Sequence, residues 1–298
     1  MPSLISKITL QVTRRFVPAK RLMQTSEIDV AKMRGEDAKI PKRWMTAGSG
    51  LSKGTLGGLT SWAVLPKRIK HPERVVLYLH GGAYVAGPLF WQWSMCGSIA
   101  RQSGVRIEVL DYPLAPESTF EESIAKTLAA YQELTEQYSP SNISVLSDSA
   151  GGGLSAALMF ELARLNIERP RRLLMISPWI DVELLDPEVA EIEARDPMLA
   201  AAGLRACGLL YAGSPGKMSD PSVSPILGDL SVLPEIHIYN GLEDLLSWSI
   251  RKFAQKAGEQ GVEVKYSEWP GQMHAWVVVP VVPEAIRVRK RIAAIIAR

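Results

Sequence analysis

Short apolar runs alternate along most of the chain with longer segments in which apolar residues recur every three or four positions. Such short runs are typical of buried strands, and the longer spacing is typical of helices that cover a sheet. From about residue 59 onward we predict strands at residues 60–65, 74–79, 105–110, 142–146, 172–176, 235–239 and 262–268. Strands that alternate with helices form mainly parallel sheets, so the pattern predicts an α/β fold with seven to eight strands.

Three segments place their apolar positions on one helical stripe. They are residues 121–138, 152–165 and 283–298, and Pro283 suits the first turn of the last one. We expect these helices to flank the sheet.

Two segments interrupt the alternation. Residues 1–48 lack the strand pattern, and residues 184–213 are helical in character, acidic at first and then rich in alanine. We expect both segments to form a helical cap over the carboxyl edge of the sheet. The core would then consist of residues 49–183 and 214–298.

Composition favours a globular protein that acts on a small molecule. The chain is 47% hydrophobic and 22% charged, and its net charge of +3 comes from basic residues scattered among acidic ones. This scatter gives no nucleic-acid signature. Cys96 and Cys207 have no Cys or His neighbours at metal-ligand spacing, so we expect reduced thiols in a cytoplasmic protein without a metal.

The amino-terminal segment 1–24 has five basic residues and no acidic one. This bias is found in transit peptides and in helices that lie on membranes. The segment has no long hydrophobic stretch and no convincing cleavage site, so we expect a helix that packs on its own protein. No apolar run in the chain approaches the roughly 18 to 20 residues that cross a bilayer.

Small residues surround a serine directly after a predicted strand. The sequence Ser147-Asp-Ser149-Ala-Gly-Gly-Gly153 leads from that strand into a helix. A nucleophilic hydroxyl must project from a tight strand-to-helix turn, where only small flanking residues fit. We therefore predict that Ser149 is the nucleophile, with the positive end of the following helix near the reacting atoms.

A second glycine-containing turn follows the strand at residues 74–79. Backbone amides converge on a developing oxyanion most easily where side chains do not obstruct them. We predict that Gly81, Gly82 and Ala150 donate their N–H groups to the oxyanion, and that His80 in the same turn has a structural role.

His274 lies in a loop after the last predicted strand, where a hydrolase of this architecture presents its base. His71 precedes the core strands, and His237 lies inside a predicted strand. We therefore predict that His274 is the base. The acid must lie between the serine and the histidine in the chain. Asp244, just after a strand, is the preferred candidate, and Asp181 and Glu243 are its rivals.

These motifs, in this order, resemble the bacterial hormone-sensitive-lipase-like (family IV) carboxylesterases of the α/β-hydrolase fold. The resemblance covers roughly residues 60–298 and rests on the following stretches: His80 to Tyr84, Asp111 to Glu117, Asp148 to Gly152, Ser222 to Leu227, Asp244 and His274. It implies a cap, short to medium acyl chains, no cofactor and a frequent homodimer.

The chain departs from the family pattern at four places. Ala83 replaces a third glycine, Pro113 an arginine and Ser147 a glycine, and Asp244 lacks the usual proline after it. None of these changes removes a reacting group, so the expected reaction is ester hydrolysis through an acyl-enzyme. A lactone, carbamate or amide hydrolase with the same triad is an alternative, and so is a noncatalytic ligand binder.

Four aromatic residues flank the motifs and are candidates for an ester pocket. They are Tyr84, Trp91, Trp179 and Trp276. Large aromatic residues are equally common in protein cores, so the sequence does not decide between the two roles.

Overall fold

The computed structural model describes residues 1–16, 19–35, 37–46 and 48–298. Its strands are β1 (Gly50–Leu56), β2 (Leu59–Leu65), β3 (Val75–Leu79), β4 (Arg106–Leu110), β5 (Ile143–Asp148), β6 (Arg172–Ile176), β7 (Glu235–Gly241) and β8 (Val264–Trp269). These eight strands form one sheet in the order β1-β2-β4-β3-β5-β6-β7-β8. Strand β2 pairs antiparallel with β1 and β4, and all other pairs are parallel. The α/β prediction is confirmed.

All seven individually predicted strands are present, with ends that differ by no more than two residues. The eighth strand, β1, was not recognised because it carries no apolar run: Ser52, Lys53 and Thr55 are exposed. It pairs with β2 through a hairpin at Gly57 and Gly58, which both have positive φ angles. An exposed edge strand gains its order from this pairing rather than from burial.

The helices are α1 (Leu4–Phe16), α2 (Ala19–Met23), α3 (Val30–Arg34), α4 (Phe90–Ser103), α5 (Phe120–Thr135), α6 (Ala150–Arg164), α7 (Glu188–Arg195), α8 (Ala201–Ala212), α9 (Ser247–Glu259) and α10 (Pro283–Ile296). Side chains alternate across the strands, as β3 shows. Val76 and Tyr78 pack with α4 and α10 on one face, while Leu77 and Leu79 pack with α5, α6 and α9 on the other. Both faces of the sheet are therefore covered.

The amino-terminal segment and the insertion meet at α2 and α8. Gly203 lies so close to Met23 that a Cβ atom at 203 would be 2.5 Å from the Met23 Cα. Lys20 also donates to the Asp196 carbonyl at 2.6 Å. By contrast, residues 37–46 pack against α4, where Trp93 Nε1 donates to the Ala38 carbonyl at 2.7 Å.

Helix α1 packs on α10, as expected for a helix that folds onto its own protein. Across residues 1–16, 19–35, 37–46 and 48–298, no helix has both the length and the apolar character that a membrane span requires. Cys96 and Cys207 are free and buried.

Candidate active site

The turn between β5 and α6 places Ser149 in a strained conformation. Its φ and ψ angles are 48° and −121°, a region that costs a non-glycine residue on the order of 1–3 kcal/mol. The turn is tight, because a Cβ atom at Gly151 would lie 2.0 Å from the Leu79 carbonyl oxygen. Ser147, which departs from the family pattern, is accommodated because its hydroxyl lies 3.2 Å from that of Ser155.

The structure brings the predicted serine, histidine and acid together. His274 Nε2 lies 2.9 Å from Ser149 Oγ, and His274 Nδ1 lies 2.9 Å from Asp244 Oδ2. The serine and histidine retain 7% and 6% exposure, and the aspartate is fully buried. The loop after β8 holds the histidine, since the Ala275 amide donates to Ser177 Oγ at 3.1 Å.

A second carboxylate lies behind Asp244 and comes from the insertion. Asp196 Oδ2 accepts the Leu245 amide at 2.6 Å, and its Oδ1 accepts the amides of Met198 and Leu199. Burial raises the pKa of Asp196 to about 6, and the charge of Asp244 adds to this rise. Sequence reasoning missed Asp196 because nothing distinguishes it from its acidic neighbours before the fold is known.

The electrostatic surroundings of His274 favour its protonated form. Burial lowers its pKa, but the charge and hydrogen bond of Asp244 outweigh burial, helped by the charges of Asp196 and Asp148. The net result is a pKa above the ordinary value of 6.5. An imidazole with this raised pKa binds a proton from Ser149 more readily.

The rival acids lie elsewhere. Asp181 Oδ1 accepts the amides of Glu183 and Leu184, and Glu243 lies 3.8 Å from Arg14. Within the described ranges neither carboxylate is a hydrogen-bond partner of His274.

The remaining histidines also have other partners. His71 lies near Glu73, and His237 Nε2 lies 2.7 Å from Glu235. His80 is fully buried, with Nδ1 2.9 Å from the Gly81 carbonyl oxygen, and burial lowers its pKa to about 4. It is neutral at ordinary pH, which agrees with the structural role expected for it.

The prediction that Gly81 donates to the oxyanion is wrong for this conformation. Its amide already donates to Asp148 Oδ1 at 3.0 Å. In the part of the chain that is described, the backbone amides of Gly82, Ala83 and Ala150 have no acceptor. The amides available to an oxyanion are therefore those of Gly82 and Ala150, joined by Ala83.

Asp148 links the oxyanion loop to the sheet, a role that sequence reasoning missed. Its Oδ1 also accepts the Tyr78 hydroxyl, and its Oδ2 accepts Gln92 Nε2 at 2.9 Å. Burial raises the pKa of this carboxyl, although the three hydrogen bonds oppose the rise. The residue stands beside Ser149 in the recognised motif, but its partners are distant in sequence.

The four aromatic candidates lie in different surroundings. Tyr84 and Trp179 are buried in the cluster on the α6 face, where Tyr84 stacks on Tyr211. Trp276 is buried in the cluster on the opposite face, and Trp91 is exposed beside Phe90. Three of the four rings therefore contribute to core packing, on opposite faces of the sheet.

No cluster of three or more His, Cys, Asp or Glu side chains suited to a metal ion occurs among the residues with described positions. The arrangement around Ser149 combines a hydroxyl, an imidazole and free backbone amides, a set of groups suited to acyl transfer.

Comparisons with known proteins agree with this class of fold. A family model described as "alpha/beta hydrolase fold" matches residues 76–278. An acetyl-hydrolase of Streptomyces hygroscopicus is 34% identical over 236 residues, which cover 78% of each chain.

Solved structures match over nearly the whole chain. An esterase/lipase from an uncultured bacterium has a TM-score of 0.87 and 26% identity, covering 99% of this chain and 98% of the other. An esterase from the bacterial hormone-sensitive lipase family has a TM-score of 0.86 and 27% identity, covering 100% and 99%. The chain belongs to the α/β-hydrolase family, in the group related to hormone-sensitive lipase.

Proposed function

We propose that the protein is a serine carboxylesterase with Ser149 as nucleophile, His274 as base and Asp244 as acid. The observation that carries the proposal is the continuous pair of 2.9 Å contacts from Ser149 through His274 to Asp244. His274 removes the serine proton as Ser149 attacks the ester carbonyl, and returns it to the departing alcohol. Water then attacks the acyl-enzyme by the same route and releases the acid.

Three backbone amides stabilise the oxyanion in this proposal. The amides of Gly82, Ala83 and Ala150 are available, and Ala150 also begins α6, whose positive end favours negative charge. One such donor contributes on the order of 3 kcal/mol to transition-state stabilisation. Gly81 contributes indirectly, because its bond to Asp148 fixes the loop.

The cap in this proposal consists of residues 1–48 and 184–213, resting on core segments 49–183 and 214–298. Support comes from the contact of α2 with α8 and from the bond of Asp196 to Leu245. Ser149 and His274 are barely exposed, as expected for a covered site. A closed site and the acetyl-hydrolase relative both favour short to medium acyl chains.

The test compares hydrolysis of p-nitrophenyl esters from acetate to dodecanoate by the wild type, Ser149→Ala and Ser147→Ala. Ser147 is the matched control, because its hydroxyl contacts Ser155 rather than His274. We expect Ser149→Ala to lower kcat by about 10⁶-fold and Ser147→Ala to stay within about tenfold of the wild type. Rates should be highest for the shorter esters.

Two outcomes would contradict the proposal. A folded wild type that hydrolyses no ester, but whose thermal unfolding is shifted by small ligands, would indicate the noncatalytic binder. Faster turnover of lactones, carbamates or amides than of any ester would favour another hydrolase with the same residues.

A further inference from the structure

Helix α1 packs on the protein through its polar side. Ser6 and Thr13 are its buried residues. Ser6 Oγ donates to Glu284 Oε2 at 2.7 Å, and it accepts Gln272 Nε2 at 2.9 Å. The Ser3 amide also donates to Glu284 at 2.6 Å. These hydrogen bonds hold the start of the helix on α10, and Leu10 adds apolar packing against the cluster on that face.

All apolar side chains of α1 except Leu10 are exposed to solvent. Successive residues four positions apart lie on one side of a helix. The exposed set, here called the α1 stripe, is 45–73% exposed and comprises Leu4, Ile5, Ile8, Val12 and Phe16. Water-soluble helices usually turn such a stripe towards the core, so its outward direction indicates a surface that is covered in use.

Basic residues accompany the stripe. Lys7, Arg14 and Arg15 lie on α1, Lys20 and Arg21 follow on α2, and the first acidic residue in the chain is Glu27. Some of this charge is satisfied within the protein, since Arg14 donates to the Arg195 carbonyl. Lys7, Arg15 and Arg21 are exposed.

An apolar stripe with a positive flank is complementary to an anionic lipid surface, which accepts both parts at once. A second copy of the chain fits less well, because joining two α1 stripes would bring two basic clusters together. The geometry therefore favours lipid over a homodimer at this face.

We propose that α1 docks the protein on the surface of an anionic membrane. The α1 stripe enters the boundary between headgroups and acyl chains, while Lys7, Arg15 and Arg21 face the headgroups. The helix lies in the plane of the interface and does not span the bilayer.

Docking in this way would place a cavity beside the lipid. A cavity of about 270 Å³ lies between the end of α1 and the end of α7, and its lining includes Arg15, Arg21 and Asp196. Asp196 is bonded to Leu245, the neighbour of Asp244. Under the proposed esterase function, amphiphilic esters in the membrane would reach the enzyme at this side. The docking itself does not depend on that function.

The test is co-sedimentation of the full chain with vesicles. One set contains phosphatidylcholine alone, and the other contains about one third phosphatidylglycerol, which supplies the negative surface potential. We expect binding to the anionic set that weakens as salt is raised, and little binding to the neutral set.

Two sets of variants test the α1 stripe and the basic residues independently. Ile8→Ser/Val12→Ser should lower the partition coefficient by about tenfold or more, because two apolar side chains no longer leave water. Lys7→Gln/Arg15→Gln should remove most of the preference for anionic vesicles. The matched controls are Ile69→Ser, on a surface loop with 46% exposure, and Lys53→Gln on β1, and both should bind as the wild type does.

Thermal unfolding and hydrolysis of a water-soluble ester report on folding and on the proposed esterase function separately from binding. Absence of binding by a folded wild type would overturn the docking proposal, as would equal binding to both vesicle sets. Stripe variants that bind normally would also overturn it. A wild-type dimer that becomes monomeric in Ile8→Ser/Val12→Ser, with no vesicle binding, would assign the surface to a second copy.

Discussion

The two sides of Ser149 each contain a buried carboxylate that accepts backbone amides, but the two carboxylates are anchored differently. Asp148 is held by Tyr78, Gln92 and Gly81, all of which belong to the hydrolase core. Asp196 comes from the insertion and reaches the core through Leu245. All hydrogen-bond partners of Asp148 thus belong to the core. The charge that surrounds Asp244, by contrast, depends on Asp196, which comes from the insertion.

Among the carboxylates around Ser149, the largest effect should come from the proposed acid. Asp244→Asn should lower kcat for p-nitrophenyl acetate by about 10⁴-fold, because an amide cannot hold His274 in the required tautomer or stabilise the imidazolium. The control is Asp181→Asn, which alters another inward-turned carboxylate after a strand and should keep kcat within about tenfold. Equal losses in both variants would contradict the assignment of the acid.

An intermediate effect is expected on the oxyanion side. In Asp148→Asn the new amide group faces the Gln92 donor, which disturbs the loop that carries Gly82. We expect kcat to fall by about 10- to 100-fold with little change in KM, since small displacements of catalytic groups are costly.

The double variant Asp148→Asn/Gln92→Glu should recover part of that kcat, because a carboxylate at 92 can accept the new amide. A purely structural defect would lower the unfolding temperature without this rescue. Wild-type kcat in the single variant would show that Asp148 does not position the loop.

The smallest effect should be a change in pH dependence. In the proposed mechanism His274 acts as a base only when neutral, and its pKa is raised, so activity should fall as pH decreases through a value above 6.5. The Asp196 charge contributes to that rise, so Asp196→Asn should move the acid limb of kcat/KM to lower pH. The control Asp181→Asn should leave the acid limb of the kcat/KM profile unchanged. An unchanged acid limb in Asp196→Asn would show that the insertion does not influence the pKa of His274.

The sequence predicted those features that depend on local pattern. Buried strands produce apolar runs, and the order of Ser149, Asp244 and His274 follows from the connection of strands to loops. Strand β1 lacked such a signal because its order comes from pairing with β2.

Features that depend on distant partners could not be predicted. The acceptor of the Gly81 amide lies 67 residues away, so the amide looked available in the sequence. The roles of Asp148 and Asp196 likewise arise only when separate segments meet. The sequence left the role of the four aromatic residues open, because the face of the sheet on which a tryptophan is buried depends on the fold rather than on its neighbours in the chain.

The meeting of Gly203 with Met23 has a consequence for how the amino-terminal segment and the insertion can move relative to each other. Main chain touches main chain there, so the separation of α2 and α8 is fixed by the backbone rather than by adjustable rotamers. Exchanging side chains elsewhere on the two helices can change their surfaces but cannot bring the helices nearer. Any side chain at position 203 would clash with the Met23 backbone and increase the distance between the helices.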